Sequence, residues 1–214
     1  MNTTKLLTAS LVAALFSGTP AFAANVENLS TDVLVVGGGG TGVSAAAAAH
    51  QAGAKVILME ELPFIGGSSA FSGGAIAAGD SNAQKREGMT GLSAEGYANI
   101  WLNDQKRSFP GGDPTLPDER KVRMLSKELT TTANWMESTI GHKFAKPRPF
   151  GYGGPNYAHA PAESPVPKSG RGSSPAGGRF VIKSFQTYLN KENVPIMTGT
   201  AVEDLIVNKN GDVI

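Results

Sequence analysis

The chain has 214 residues, with 27 Gly and 13 Pro, and a formal net charge of +1. Charged residues make up 17% of it and form no acidic or basic block, which excludes the electrostatic footprint of a nucleic-acid-binding protein. The absence of cysteine excludes a disulfide scaffold, a Cys-ligated metal site, a thiol nucleophile and attachment of haem c to this chain. Any redox chemistry of this chain therefore requires a cofactor that is neither haem c attached to it nor a Cys-ligated metal, and it cannot use a thiol.

Residues 1–23 predict a secretory signal peptide. A short basic start at 1–5 precedes an apolar run at 6–16, and residues 21–23 form an Ala-x-Ala cleavage signature. The alternative is a membrane anchor, but this run is much shorter than the roughly 20 apolar residues that span a bilayer. We therefore expect a mature chain, residues 24–214, that is exported to the periplasm and has no membrane span.

Residues 32–60 predict a strand–turn–helix–strand unit. Residues 32–36 are a β-branched run, 43–52 an Ala-rich helix that stops at a glycine, and 55–59 a second buried strand. The turn after the first strand has the spacing G-x-G-x-x-G, and its three motif positions are filled by Gly37, Gly39 and Gly42. A strand before this turn and a helix after it make the motif a far more specific signal than the glycine spacing alone.

Each glycine of the motif has a separate task in dinucleotide binding. Gly37 permits the tight turn, Gly39 lets the backbone approach a pyrophosphate, and Gly42 lets the helix lie close to the strand. The helix N-terminus offers N–H groups and a positive dipole end to the phosphates. Glu60 ends the second strand, where it would accept hydrogen bonds from ribose hydroxyls and repel the 2′-phosphate of NADP. The unit predicts a site for NAD or FAD; the alternative is a Gly-rich turn without a ligand.

The segment after Glu60 consists mainly of small residues, where a nicotinamide enzyme would normally start its next helix and strand. V-V-G-G-G-G-T-G-V-S-A-A, K-V-I-L-M-E and G-G-S-S-x-x-S-G-G-A-I-A-A together resemble the flavoprotein domain of the fumarate reductase/succinate dehydrogenase superfamily. Soluble periplasmic flavocytochrome c-type fumarate reductases and urocanate reductases are the most similar members. The resemblance implies an α/β fold: a Rossmann-like FAD-binding domain with a glutathione-reductase-type βαβ unit and a parallel sheet, incomplete at its C-terminus.

The resemblance also implies how FAD is held. Small residues let main-chain N–H groups reach the pyrophosphate and the edge of the isoalloxazine ring. The residues assigned to FAD in this way are Gly37, Gly39, Gly40, Thr41, Gly42, Glu60, Gly66, Gly67, Ser68, Ser69, Ser72, Gly73, Gly74 and Ala201. Ala201 follows a strand predicted at 194–200 and would touch adenine through main-chain atoms. No metal site is expected.

Further helices are predicted at 94–107, after Pro117, and at 179–191. The helix after Pro117 has apolar residues at steps of three and four and stops at Gly141. Its apolar stripe consists of Val122, Leu125, Leu129, Ala133, Met136 and Ile140. We expect Trp135, beside this stripe, to be a core residue, and Asp118 and Glu119 to lie in the first turn. Residues 201–207 and 212–214 predict a hairpin.

Residues 144–176 are rich in Pro, Gly and Ser and predict a loop longer than compact domains usually contain. In the family, the matching region covers the flavin and borders the substrate cavity. We expect His159 to be an exposed loop histidine; the alternative is a polar contact within the site. Arg171 resembles the family's basic residue before a P-x-G-G turn, here at 175–178, and the helix that follows directs its N-terminus at a cofactor, a carboxylate or water.

The resemblance covers nearly all of the mature chain but only the first part of a family member. It implies the N-terminal flavin-binding part of an FAD-dependent oxidoreductase that reduces a C=C bond next to a carboxylate by hydride transfer from FAD N5. No catalytic residue of the family has a counterpart in this chain, because the catalytic cap follows the hairpin. Electrons would come from a separate haem c or FMN domain or protein.

Two alternatives remain open. The first is a related FAD enzyme of the 3-oxosteroid dehydrogenase type, which shares the fingerprint but oxidises its substrate. The second is an inactive truncated product that binds FAD poorly or not at all. An exposed sheet edge would make such a product unstable or prone to aggregation.

Overall fold

The computed structural model describes residues 28–108, 111, 117–149, 155–165, 176–211 and 213. The predicted signal peptide lies outside these residues. Contacts group Thr31–Ile214 in one unit; of the other unit, Met1–Ser30, the described residues 28–30 are exposed and have no regular structure. None of the helices in the described ranges is both long and apolar enough to cross a membrane.

The described elements include both strands and helices. In chain order they are β1 (Val33–Val36), α1 (Gly40–Gln51), β2 (Val56–Glu60), α2 (Gly67–Phe71), β3 (Ile76–Ala77), α3 (Asn82–Arg86), α4 (Ala94–Ser108), α5 (Glu119–Trp135), one π-helical turn (Met136–Ile140), β4 (Ala158–His159), α6 (Gly178–Lys191) and β5 (Ile196–Thr198). The predicted α/β fold class is therefore confirmed.

A three-stranded parallel sheet has the order β1-β2-β5. Val33 lies opposite Val56, and Leu58 lies opposite Ile196. Parallel neighbours need a crossover, and α1 supplies the one between β1 and β2. The carboxyl ends of these strands consequently meet at one edge of the sheet, next to the N-terminus of α1.

The core lies where α1 and α6 pack together and α1 covers the sheet. Ala46 and Ala47 of α1 are fully buried, and their small side chains allow the helix to approach β1 and β2 closely. Leu58 and Leu189 are fully buried as well, and burying a leucine contributes about 1.5–3 kcal/mol. This packing fixes the position of α1 relative to the strands.

The helix predicted after Pro117 is α5 together with the π-helical turn, and Gly141 ends it in a left-handed conformation at φ 76°. Asp118 is the N-cap rather than a first-turn residue, and its carboxylate accepts a hydrogen bond from the amide of Lys121. The prediction that Leu125 belongs to the apolar stripe facing the core is wrong, since its side chain is 44% exposed. At about 100° per residue, Leu125 lies about 60° from Val122 around the helix, at the margin of the buried stripe.

Trp135 packs against the core from a half-buried position. Its ring contacts that of Phe185 at a centroid distance of 5.6 Å, and its Nε1 donates to Oε1 of Gln51 at 2.8 Å. The prediction that Trp135 belongs to the core is thus confirmed for the apolar part of the indole.

Two predicted loops contain pairing that sequence analysis missed. The small-residue segment after β2 forms α2 and β3, and β3 pairs with β4 from the predicted long loop. His159 lies in β4 and is fully buried, so the expectation of an exposed histidine is wrong. Burial follows from the strand pairing, which no local pattern indicated.

The predicted hairpin near residue 214 is reduced to a single antiparallel bridge between Val207 and Val213. Residues 201–206 have no regular structure. The predicted strand at 194–200 is shorter and corresponds to β5. Arg171 lies outside the described residues.

Candidate functional site

A groove of about 580 Å³ lies along β1 and the turn that leads from it into α1. Besides β1 and Ala45, its lining consists of Gly37, Gly39, Gly40, Thr41, Gly42 and Ser69. The groove therefore places most of the predicted fingerprint at the carboxyl edge of the sheet. This is where open α/β sheets bind their ligands.

The glycines of the turn have the geometry that the fingerprint requires. Gly37 has φ 93°, a left-handed conformation that favours glycine. A Cβ on Gly42 would lie 1.8 Å from the carbonyl oxygen of Gly37, so only glycine lets α1 pack this close to β1. A Cβ on Gly39 would meet no atom within 4 Å. The space in front of Gly39 is thus open to a ligand.

The N-terminus of α1 faces the groove and has no acidic side chain within the helix. Its N-cap is Gly39, which has no side chain, and its first turn contains no acidic residue. The first-turn amides of Thr41 and Gly42 have no acceptor one turn earlier in the helix. That of Gly40 donates to Oγ of Ser69 at 3.1 Å. This helix end is a favourable position for a pyrophosphate.

Glu60 is held beside the turn by two main-chain amides. Gly38 donates to its Oε2 at 2.7 Å, and Leu62 donates to its Oε1 at 2.8 Å. These bonds, that of Leu62 most strongly, hold the pKa of Glu60 below its ordinary value. Each carboxylate oxygen has a further lone pair, so the ionised side chain can still accept hydrogen bonds from ligand hydroxyls.

A second cavity, of about 300 Å³, adjoins the groove. Its lining is small or apolar and consists of Gly40, Ser69, Ser72, Gly73, Gly74, Ala75, Ile76, Gly178, Val181 and Ile182. Gly40 and Ser69 also line the groove, so this hydrogen-bonded pair borders both spaces.

Close packing of α2 against the start of α6 forms one side of this cavity. A Cβ on Gly178 would lie 1.9 Å from the carbonyl oxygen of Ser69, and a Cβ on Gly177 would lie 2.2 Å from that of Gly73. A Cβ on Gly74, which has φ 66°, would lie 2.5 Å from the carbonyl carbon of Gly177. The predicted P-x-G-G turn thus serves to bring α6 against the segment that contains Gly73 and Gly74.

The structure brings most of the predicted site residues together. Those that line the groove or the cavity are Gly37, Gly39, Gly40, Thr41, Gly42, Ser69, Ser72, Gly73 and Gly74. Gly66 supports the turn, since its amide donates to the carbonyl of Gly38 at 2.9 Å, and Gly67 begins α2. Ser68 is exposed on α2 and lines neither space. Ala201 is exposed after Thr200, whose amide donates to the carbonyl of Glu60.

Sequence analysis missed Gly38, Val181 and Ile182. Gly38 supplies the amide that binds Glu60, and a Cβ there would lie 2.7 Å from Cγ2 of Ile65. The run of four glycines was the available signal for Gly38. Nothing local indicated Val181 and Ile182, because α6 lies more than 100 residues after the cavity's other wall.

The residues fit FAD. The helix N-terminus, which has no side-chain cap, and the open space at Gly39 suit its pyrophosphate. Glu60 suits its ribose, and the cavity of small residues suits a flat ring. Within the described part of the chain, no group of three or more His, Asp or Glu side chains could hold a metal ion.

Comparison with known proteins agrees with this fit. The FAD binding domain family matches residues 32–214. Urocanate reductase from Eggerthella lenta is 29% identical over 190 residues, which are 88% of this chain and 28% of that protein. Fumarate reductase (cytochrome) from Shewanella frigidimarina is 28% identical over 141 residues, 66% of this chain and 23% of that protein. The chain spans less than a third of the length of these curated relatives.

Solved structures show the same fold. The open conformation of a flavocytochrome c3 fumarate reductase superposes with a TM-score of 0.65 at 24% identity, over 95% of this chain and 31% of that chain. A 3-ketosteroid-Δ4-(5α)-dehydrogenase from Rhodococcus jostii RHA1 superposes with a TM-score of 0.64 at 22% identity, over 91% of this chain and 43% of that chain.

The family match extends over most of the chain and begins at the residue before β1. It confirms the prediction of FAD as the cofactor and the prediction of a Rossmann-like FAD-binding fold. Both curated relatives are named as reductases. This chain belongs to the FAD binding domain family.

Proposed function

We propose that this chain is the flavin-binding part of an exported oxidoreductase that reduces a C=C bond next to a carboxylate. Two curated relatives support the substrate class, because their names state the reduction of urocanate and of fumarate, which are both unsaturated carboxylates. The signal-peptide pattern of residues 1–23 supports export.

The observation that carries the proposal is that Gly40 and Ser69 line both the groove and the cavity. We place the junction between the two halves of FAD at this pair. In the groove, the amides of Thr41 and Gly42 would donate to the pyrophosphate, where the dipole of α1 favours negative charge. Glu60 would accept from the adenosine ribose while Gly38 and Leu62 keep its carboxylate ionised and oriented. We thus place the adenosine diphosphate half of FAD along β1, β2 and α1.

The ring half would occupy the cavity between Gly73, Gly74 and α6. Ile76, Val181 and Ile182 would exclude water from it, and the small residues leave room for the ring. Bound FAD would supply a hydride from N5 to the alkene carbon β to the carboxylate. The side chains that bind the carboxylate and deliver a proton are expected in the part of the relatives that these residues do not match.

We further propose that electrons reach the flavin from a haem c or FMN domain or protein. The relative named fumarate reductase (cytochrome) and the flavocytochrome structure support a haem carrier. This chain has no cysteine for haem c attachment. The carrier would therefore hold its own haem.

The 3-oxosteroid dehydrogenase alternative is supported by fold alone. The 3-ketosteroid dehydrogenase structure shares 22% identity with this chain. Sequence identity this low shows only a shared fold. It does not favour a steroid over an unsaturated carboxylate as the substrate. We prefer the reductase because the curated relatives match it by sequence.

Flavin retention after export tests the proposal. The chain would be purified without added flavin, in parallel with Glu60→Gln and with Glu61→Gln, a neighbouring exposed carboxylate that serves as the matched control. Wild type and Glu61→Gln should retain the absorbance of an oxidised flavin, and Glu60→Gln should lose most of it. A colourless wild type that also fails to take up added FAD would contradict the proposal and favour the inactive, truncated product.

A further inference from the structure

A cluster of buried polar side chains lies beside β3 and lines neither the cavity nor the groove. Ser81 is 1% exposed, and Gln84 and His159 are 0% exposed. Buried polar groups are costly unless they are hydrogen-bonded, and removing one partner leaves the other unsatisfied. Such a cluster therefore holds its surroundings in one arrangement.

The hydrogen bonds of His159 define its tautomer. Its Nδ1 lies 2.7 Å from the carbonyl oxygen of Tyr157, which can only accept, so Nδ1 carries the proton. Its Nε2 lies 2.6 Å from Oγ of Ser81, which therefore donates to it in the neutral ring. Oγ of Ser81 in turn accepts from the amide of Gln84 at 3.1 Å.

Gln84 extends the cluster to two chain segments. Its Oε1 accepts from the amide of Ser81 at 2.9 Å, and its Nε2 donates to the carbonyls of Ala78 and Asn156 at 3.2 and 3.0 Å. Through these bonds the end of β3 and the segment before β4 are joined by side chains as well as by strand pairing.

This cluster is connected directly to the cavity. His159 lies opposite Ile76 in the antiparallel pair of β3 and β4, and Ile76 lines the cavity. The carbonyl of Ile76 also faces the imidazole, where with that of Tyr157 it opposes the lowering of the pKa of His159 by burial. The ring thus contacts β3 next to Ile76 but does not itself line the cavity.

We propose that His159 is a positioning residue for the isoalloxazine ring, because it fixes β3 as a wall of the cavity through Ser81 and Ile76. The inference rests on the proposed placement of the ring in this cavity. His159 itself contacts no ligand atom. Its loss should therefore affect the ring half of FAD and leave the adenosine diphosphate half unaffected.

Paired titrations with FAD and ADP test this separation. ADP carries the adenosine and pyrophosphate of FAD but no ring, so it reports on the groove alone. His159→Phe keeps a ring of similar size but removes both hydrogen bonds. It should weaken FAD binding about tenfold, the effect of about one lost buried hydrogen bond, and leave ADP affinity unchanged. The visible circular dichroism of the bound flavin should change as well.

The matched control is Leu102→Ala, which removes a buried side chain from the separate cluster of Ala98 and Val122 between α4 and α5. It should lower thermal stability but leave both affinities and the flavin spectrum unchanged. His159→Gln, whose amide can donate and accept, should recover part of the FAD affinity, and it replaces His159→Phe if that variant does not fold.

The outcomes separate this inference from the proposed function. If wild type binds neither FAD nor ADP, both are overturned. If wild type binds both and the His159 variants equal it, or lose FAD and ADP affinity in parallel, the positioning role of His159 alone is overturned. A selective loss of FAD affinity supports it.

Discussion

The amide nitrogen of Gly40 lies 3.1 Å from Oγ of Ser69, and this hydrogen bond joins the first turn of α1 to α2. Both residues line the groove along β1 and the neighbouring cavity. A Cβ on Gly40 would lie 2.8 Å from the same oxygen, so the contact depends on glycine at this position. The pair fixes the junction at which the two halves of FAD are proposed to meet.

Replacing Ser69 with alanine should weaken this junction. The change removes the acceptor of the Gly40 amide, which should lower the free energy of unfolding by about 0.5–1.5 kcal/mol. FAD affinity should also fall several-fold, because α2 loses a tie to α1. Denaturant unfolding and FAD titration measure the two effects. Ser68→Ala, at an exposed position that lines neither space, is the control, and equal effects for both variants would refute the role of Ser69.

Replacing Gly178 with alanine should disturb the packing of α6 on α2. The added Cβ would lie 1.9 Å from the carbonyl oxygen of Ser69, so backbone must shift, and overpacking of this kind costs about 1–3 kcal/mol. The midpoint of denaturant unfolding should fall accordingly. Thr187→Ala, on the exposed face of the same helix, should change stability by less than about 0.5 kcal/mol. Wild-type stability of Gly178→Ala would show that α6 is not packed in this way.

Stability should decrease as the pH falls below 6.5, the ordinary pKa of histidine. Burial lowers the pKa values of His142 and His159 in the folded chain, so the unfolded chain binds more protons in the range just below 6.5. The two buried, neutral histidines contribute their full stabilisation above this pH range. That contribution is lost as the pH falls towards their lowered pKa values in the folded chain. The charged groups near His159 are Arg86 and Glu137, which form an ion pair with each other at 3.0 Å.

Denaturant unfolding at pH 7.5 and pH 5.5 checks this prediction, with His159→Gln and His142→Asn as the informative variants. Each variant should be less stable than wild type at the higher pH and should lose less stability on acidification. The same pH dependence in the double variant as in wild type would assign the effect to other groups.

The free edge of β1 should promote self-association. Among the described residues, β1 pairs only with β2, and its Leu34 and Val36 side chains are 40% and 57% exposed. Unpaired edge strands with apolar side chains template aggregation, and a lysine blocks it. Leu34→Lys should therefore reduce light scattering by concentrated protein, whereas Leu205→Lys, at a 63% exposed position outside any strand, should not. Equal scattering by both variants would exclude the edge as the cause.

The local part of the fold could be predicted from the sequence. The β1–α1–β2 unit and the position of Glu60 follow from short-range patterns, because strand, glycine turn and helix are consecutive. The pairing of β3 with β4 could not, since it joins Ile76 to His159 across the three helices α3, α4 and α5. The approach of Gly178 to Ser69 is likewise a long-range contact, and neither residue's neighbours indicate it.

The most direct test of the account is FAD titration of Gly39→Val. Gly39 has φ −67°, which valine tolerates, and a Cβ there meets no protein atom within 4 Å, so the side chain would occupy only the space assigned to the pyrophosphate. Ala48→Val, at an exposed position of α1, is the control. The flavin-free protein should lose at most about 1 kcal/mol of stability in either variant, because valine is a poorer N-cap than glycine and a poorer helix former than alanine. FAD affinity should be at least about 100-fold weaker, or about 2.8 kcal/mol, for Gly39→Val alone. Wild-type FAD affinity of Gly39→Val would contradict the placement of FAD in this groove.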